Sequence, residues 1–231
     1  MNENNNGRGL FYGVVGVATL IVAIIGATFA YFSINVNMTG NGADNITGTT
    51  GQVADNAITG AVTKITTGEG KLIPLGSSAI AQGGEGTIAV TDQRATALTK
   101  DGDREICYDK NGDKVCDVYK VVLTNGGDTS VSLAGSFTLT GVSNFRWAFV
   151  KDETNGDTIP ADLATATVNE STTTEIVNNL TLTPNAKTAT YYVVVWLNET
   201  GSAQNEDMAK TYTGTINFTA AETGGKITAQ F

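Results

Sequence analysis

Residues Leu10 to Phe32 carry no charge: LFYGVVGVATLIVAIIGATFAYF. As a helix, this run of about 23 residues is ~34 Å long at ~1.5 Å per residue. That is enough to cross a bilayer core of about 30 Å. The period then changes. Phe32, Ile34, Val36 and Met38 alternate with Ser33, Asn35, Asn37 and Thr39, the spacing of a strand with one apolar and one polar face. A membrane-directing segment therefore leads into an amphipathic strand, and the chain beyond that strand reads as an exported domain.

Arg8 precedes the run, and the next cation after it is Lys64. By the positive-inside rule the N-terminus stays cytoplasmic and the remainder is exported. Thr28 and Ala30 are the small residues a signal peptidase needs, and cutting after Ala30 frees Tyr31. The run exceeds the usual apolar signal core of about 7–15 residues, so a retained anchor and a pilin-type cut near Gly9 stay open. The expected organisation is a signal peptide or anchor over 1–30, an N-terminal strand and Gly/Asn/Thr-rich linker over 31–70, and one folded domain over 71–231.

The rest of the chain predicts an all-β fold. Thr129–Thr140, Asn144–Val150, Thr173–Thr183 and Thr211–Ala220 carry strand patterns broken by turn residues. Lys71–Leu75 and Thr87–Thr91 read as shorter strands. Thr190–Asn198 (TYYVVVWLN) is apolar on both faces, as a central strand is. The 27 glycines and only 3 prolines suit many strands joined by turns. This spacing points to a β-sandwich of jelly-roll type, preceded by the N-terminal hydrophobic helix.

Arg104–Asn125 reads as the clearest hairpin. Centred on Asn111-Gly112, a favoured type I′ dipeptide, it pairs Asp109 with Lys114, Tyr108 with Val115 and Cys107 with Cys116. The two cysteines then stand about 4.5 Å apart at Cα, close enough for a disulfide, which suits an exported protein. Asp109, Asn111 and Asp113 also have the first spacing of a calcium loop. Lys114 and Lys120 occupy the positions that need Gly and a bidentate Glu, so the turn explains these residues better, and no metal site is expected.

The net charge of −9 and the lack of a basic stripe argue against nucleic acid. The absence of histidine removes the commonest general base and metal ligand. No P-loop, HExxH or GxSxG pattern is present. Asp101, Asp103 and Glu105 read as a solvated strand face, and Trp147 and Trp196 as core, with a sugar-stacking platform the lesser reading. No enzyme activity and no cofactor is expected.

Three stretches carry a family resemblance: GATFAYFS (26–33), CYDKNGDKVCDVYKVVLTN (107–125), and VVVWLNETG with KTYTGTINFTA (193–201 and 210–220). Together they resemble the TasA/camelysin group of exported bacterial matrix-fibre proteins. The resemblance covers under half the chain. It implies a jelly-roll domain, export with a dedicated signal peptidase and assembly into extracellular fibres. The metalloprotease activity credited to camelysin is not carried over, because this chain has no histidine and no zinc motif.

The leading expectation is therefore a structural subunit of a bacterial cell-surface or matrix fibre, a head-to-tail homo-oligomer. Phe32, Ile34, Val36 and Met38 would form its assembly strand, and residues 10–32 would contact the membrane at least transiently. Burying those four side chains at ~1.5–3 kcal/mol each gives an upper limit of about 6–12 kcal/mol before ordering costs. The same arm folded back on its own domain is the competing arrangement. The alternative function is a membrane-anchored monomeric surface binding domain.

Overall fold

A computed structural model describes residues 35–39, 46–49, 58–68, 71–75, 93–141, 143–154, 156, 158–170, 172–184, 188–200, 204–207, 210–221 and 225–231. The expected N-terminal helix, the cleavage site, Phe32, Ile34 and the strand Thr87–Thr91 lie outside them. No helix among the described residues is long and apolar enough to cross a membrane.

Among the described residues, ten strands form two five-stranded sheets. The first has the order β1 (Asn35–Thr39), β10 (Lys226–Gln230), β9 (Thr213–Ala220), β5 (Val131–Thr140), β7 (Thr173–Leu182). The second runs β2 (Ile46–Thr49), β3 (Ile58–Lys64), β4 (Cys116–Asn125), β8 (Thr188–Leu197), β6 (Phe145–Asp152). Neighbours are antiparallel except β1 and β10, which run parallel. The expected all-β sandwich is present. The stretch over 31–70 supplies three of its strands, so the sheets begin well before residue 71.

The alternation of the sequence decides which faces meet. Along β5, Val131, Leu133, Gly135, Phe137 and Leu139 are buried while Ser132, Ala134, Ser136 and Thr138 between them are not. β9 does the same with Ile216, Phe218 and Ala220. With Trp147, Tyr191, Val193 and Val195 from the second sheet, these side chains fill the space between the layers. Gly135 is required there: a Cβ on it would stand 2.6 Å from the Phe218 ring.

β8 is buried on both faces, as its unbroken apolar run predicts. Tyr191, Val193, Val195 and Leu197 enter the inter-sheet core. Tyr192, Val194 and Trp196 enter a second cluster with Cys107, Val115, Cys116, Val118 and Leu163. This cluster lies beneath a covering layer that includes the one-turn helix α1 (Arg94–Ala97), the cysteine hairpin and a 3-10 turn over Ala161–Ala164. Arg94 places its guanidinium 5.0 Å from the centre of the Trp196 ring and donates to the Ala166 carbonyl at 2.8 Å. Both tryptophans are core residues, and Trp147 donates its indole N–H to the Glu170 carbonyl at 2.9 Å. Neither forms an exposed sugar platform.

Candidate functional site

The edge of the first sheet carries residues 35–39, the described part of the stretch expected to be the assembly strand. β10 (KITAQ) alternates, with Ile227 and Ala229 in the core and Lys226 and Gln230 exposed. On one side it pairs with β9, Ile227 opposite Phe218 and Ala229 opposite Ile216. On the other side the register sets Val36 opposite Ile227 and Met38 opposite Ala229. Within one chain, residues 35–39 are thus an edge strand of their own sheet, the folded-back arrangement. The apolar phase read from the sequence falls in register with the core positions of β10.

The chain leaves β10 into Phe231, which plugs the end of the sandwich. Its ring stacks on Tyr119 with centroids 3.8 Å apart, and its backbone exchanges two hydrogen bonds with Gly214 at 2.9 and 3.0 Å. A side chain at residue 214 would run into the Phe231 ring.

Beside Tyr119 lies a buried polar cluster centred on Asp117. Its Oδ1 accepts from Thr66 Oγ1 at 3.0 Å and faces Lys64 Nζ at 3.0 Å and Lys114 Nζ at 2.6 Å. Its Oδ2 accepts from the Tyr212 hydroxyl at 2.8 Å. Tyr119 and Tyr212 hydroxyls are 2.7 Å apart. A hydroxyl has one proton and Tyr212 spends its own on Asp117, so Tyr119 donates to Tyr212. Burial lowers the Lys114 pKa, and the adjacent Asp117 carboxylate opposes that shift. Burial pushes both tyrosines well above the ordinary phenol value, and the Asp117 charge adds to it. Four donors from β3, the hairpin and the approach to β9 converge on this one carboxylate. Asp117 thus ties together groups that are distant along the chain.

The structure brings the cysteines together as expected: Cys107 and Cys116 form a disulfide with Cα atoms 4.8 Å apart. The hairpin register differs from the expected one. Tyr108 pairs with Lys114, not Val115, and Asp109 N–H donates to the Asp113 carbonyl at 2.8 Å. The loop is therefore Lys110–Gly112, closed by Gly112 at φ +84°. Asp109 decides this, because its carboxylate accepts from the backbone N–H of Asn111 at 2.9 Å and of Asp113 at 2.8 Å. A local side-chain turn outcompetes the two-residue turn. Cys107 absorbs the one-residue slip by adopting φ +64°, with its N–H donated to the Ala97 carbonyl at 2.8 Å. Only Tyr108 and Lys114 form a ladder bridge here; β4 proper pairs with β3 and β8. The expected long hairpin over Arg104–Asn125 is thus a short loop sewn onto a central strand.

Asp101 and Asp103 sit in a tight turn closed by two hydrogen bonds between Asp101 and Arg104, and Glu105 pairs with Lys100 at 2.6 Å. They form no strand face. Among the described residues no group of three or more His, Cys, Asp or Glu is arranged to hold a metal ion. The sequence reading missed β10, although Ile227 and Ala229 alternate with Lys226, Thr228 and Gln230. It also missed the Asp117 cluster, whose members are 53 residues apart from Lys64 to Asp117 and 95 from Asp117 to Tyr212.

No protein-family profile matches the chain, and no curated protein matches it in sequence. One solved structure, the FixG-related protein from Vibrio parahaemolyticus, overlaps 50% of this chain and 74% of its own at 8% identity, with a TM-score of 0.24.

Proposed function

We propose that this chain is an exported, non-catalytic structural subunit of an extracellular or cell-surface fibre, of the TasA-like kind, joined through its N-terminal strand. The observation that carries the reading is the parallel β1–β10 pair at the sheet edge. β1 is five residues long, bonds to one neighbour in its sheet and lies in phase with the core positions of β10. In a fibre the same β10 edge takes the strand of the next copy, a head-to-tail contact that does not close.

Two further features support the reading. From β4 to β9 each successive strand lies in the opposite sheet, an alternation that fits the proposed jelly-roll wrapping. The disulfide fits an oxidising compartment, and the uncharged segment 10–32 supplies a route to it through a membrane. The net charge of −9 turns the surface away from nucleic acid.

The β1–β10 pair also favours a second reading, because a strand seated in its own sheet makes a complete monomer. In that case the protein is a membrane-anchored surface binding domain. Deleting residues 31–39 from the exported protein separates the two. The fibre reading expects a folded monomer that forms no filaments under the electron microscope, beside a full-length chain that does. A full-length chain that stays monomeric, or filaments unaffected by the deletion, rules out assembly through this strand.

A further inference from the structure

The tip of the cysteine hairpin leaves an asparagine open to attack by its own backbone. Asn111 and Gly112 are both exposed, and beyond Asn111 and Asp113 no residue comes within 4 Å of where a Cβ on Gly112 would stand. Glycine places no side chain between its nitrogen and the preceding residue, and the Gly112 N–H donates only a long hydrogen bond, to the Asp109 carbonyl at 3.2 Å. The Asn111 amide is held by a single long hydrogen bond, Nδ2 to Asp109 Oδ2 at 3.3 Å. The pair Asn125-Gly126 supplies the contrast. Asn125 is fully buried, its amide donates to the Thr129 and Leu182 carbonyls at 2.8 and 3.0 Å, and its oxygen accepts from Gly127 N–H at 2.9 Å.

We propose that Asn111 is a site of spontaneous modification, at which the Gly112 nitrogen closes on the side-chain amide and converts Asn111 to aspartate or isoaspartate. The Gly112 N–H gives its proton to solvent base as the nitrogen attacks Cγ of Asn111. The Cγ–Nδ2 bond breaks and ammonia leaves, giving a five-membered cyclic imide. Water then adds to either imide carbonyl. Opening at one regenerates the normal backbone with a carboxylate, and opening at the other routes the backbone through Cβ. The sum is amide plus water to acid plus ammonia, with no oxidant or enzyme.

Either product adds a negative charge beside Asp109 and Asp113. The loop that changes is bracketed by the Cys107–Cys116 disulfide, so the alteration stays at the tip and the covering layer remains closed over β8.

The test is peptide mapping by mass spectrometry of the full-length oxidised protein, incubated folded at mildly alkaline pH. The peptide holding residue 111 is expected to gain the mass of an amide-to-acid exchange and to split into two chromatographic forms. The peptide holding Asn125 should change more slowly by roughly tenfold or more, because its native hydrogen bonds must break first. In the reduced, denatured chain the two rates should converge. Asn111→Gln should abolish the first change and keep the fold. Conversion of Asn125 ahead of Asn111 in the folded protein overturns the proposal. So does an unchanged residue 111 in the folded protein when the denatured chain converts there.

Discussion

Asp117 holds together groups that are far apart in the chain, and its charge is what they share. Two ammonium groups, the buried Lys114 and the partly buried Lys64, meet on one carboxylate oxygen while Tyr212 donates to the other. Replacing Asp117 with Asn leaves both cations without a counter-charge. Losing one partner of a buried ion pair typically costs about 3–5 kcal/mol, and that loss is expected in urea unfolding of Asp117→Asn. Tyr212→Phe removes one hydrogen bond and leaves the charges paired, so it should cost less, about 1–3 kcal/mol. The tyrosines also set an alkaline limit. Burial pushes Tyr191 up to about 12 with a smaller contribution from Glu153, and pushes Tyr119 and Tyr212 further. Their folded values lie above the unfolded one of about 10. Their contribution is therefore intact below pH ~10 and is lost as pH rises through the folded values. Lys114 works in the opposite sense, gaining stability as pH rises toward its unfolded value of about 10.4. Beyond that point only the tyrosine loss remains. Unfolding should thus accelerate above pH ~10, with tyrosinate absorbance of these residues appearing only as the protein unfolds.

At the scale of elements, the disulfide and the glycines fix how closely layers approach. The disulfide closes a loop of about ten residues, which the chain-entropy account values at about 2.7 kcal/mol. Replacing both cysteines with serine should lower stability by about that amount, measured in denaturant against the oxidised protein. Gly135→Ala places a methyl group against the Phe218 ring in the middle of β5, an overpacking expected to cost about 1–3 kcal/mol. The same elements mark what is legible in sequence. β5, β8 and β9 declare themselves because their period matches their burial. Even the double burial of β8 follows from Tyr191 to Leu197 having no polar break. The cysteine pair is legible from spacing, yet its register is not. Asn111-Gly112 advertises one turn, and the Asp109 carboxylate, two residues away, enforces another. Lys64, Lys114 and Tyr212 carry no local sign of their meeting on Asp117, because that meeting depends on which strands become neighbours.

The whole molecule is stitched from partners that are distant along the chain. β4 over 116–125 pairs with β8 over 188–197, β5 over 131–140 with β9 over 213–220, and β1 over 35–39 with β10 over 226–230. Among the described residues, only β2–β3, β3–β4 and β9–β10 join strands that are consecutive in the chain. Such non-local pairing places folding in the millisecond-to-second range typical of sandwiches, a rate that stopped-flow fluorescence of Trp147 and Trp196 can read.

The parallel pair at the sheet edge also has a meaning in time. A chain emerges from its N-terminus, so β1 is delivered long before β10. Until β10 has emerged, β1 lacks its partner in the sheet, and until β1 docks, that edge of β10 is vacant. On the proposed fibre reading, a neighbouring copy competes during that interval for the same ladder, and the outcome depends on crowding at the point of emergence. Dilute refolding should therefore favour closed monomers, whereas many chains emerging side by side should favour exchange.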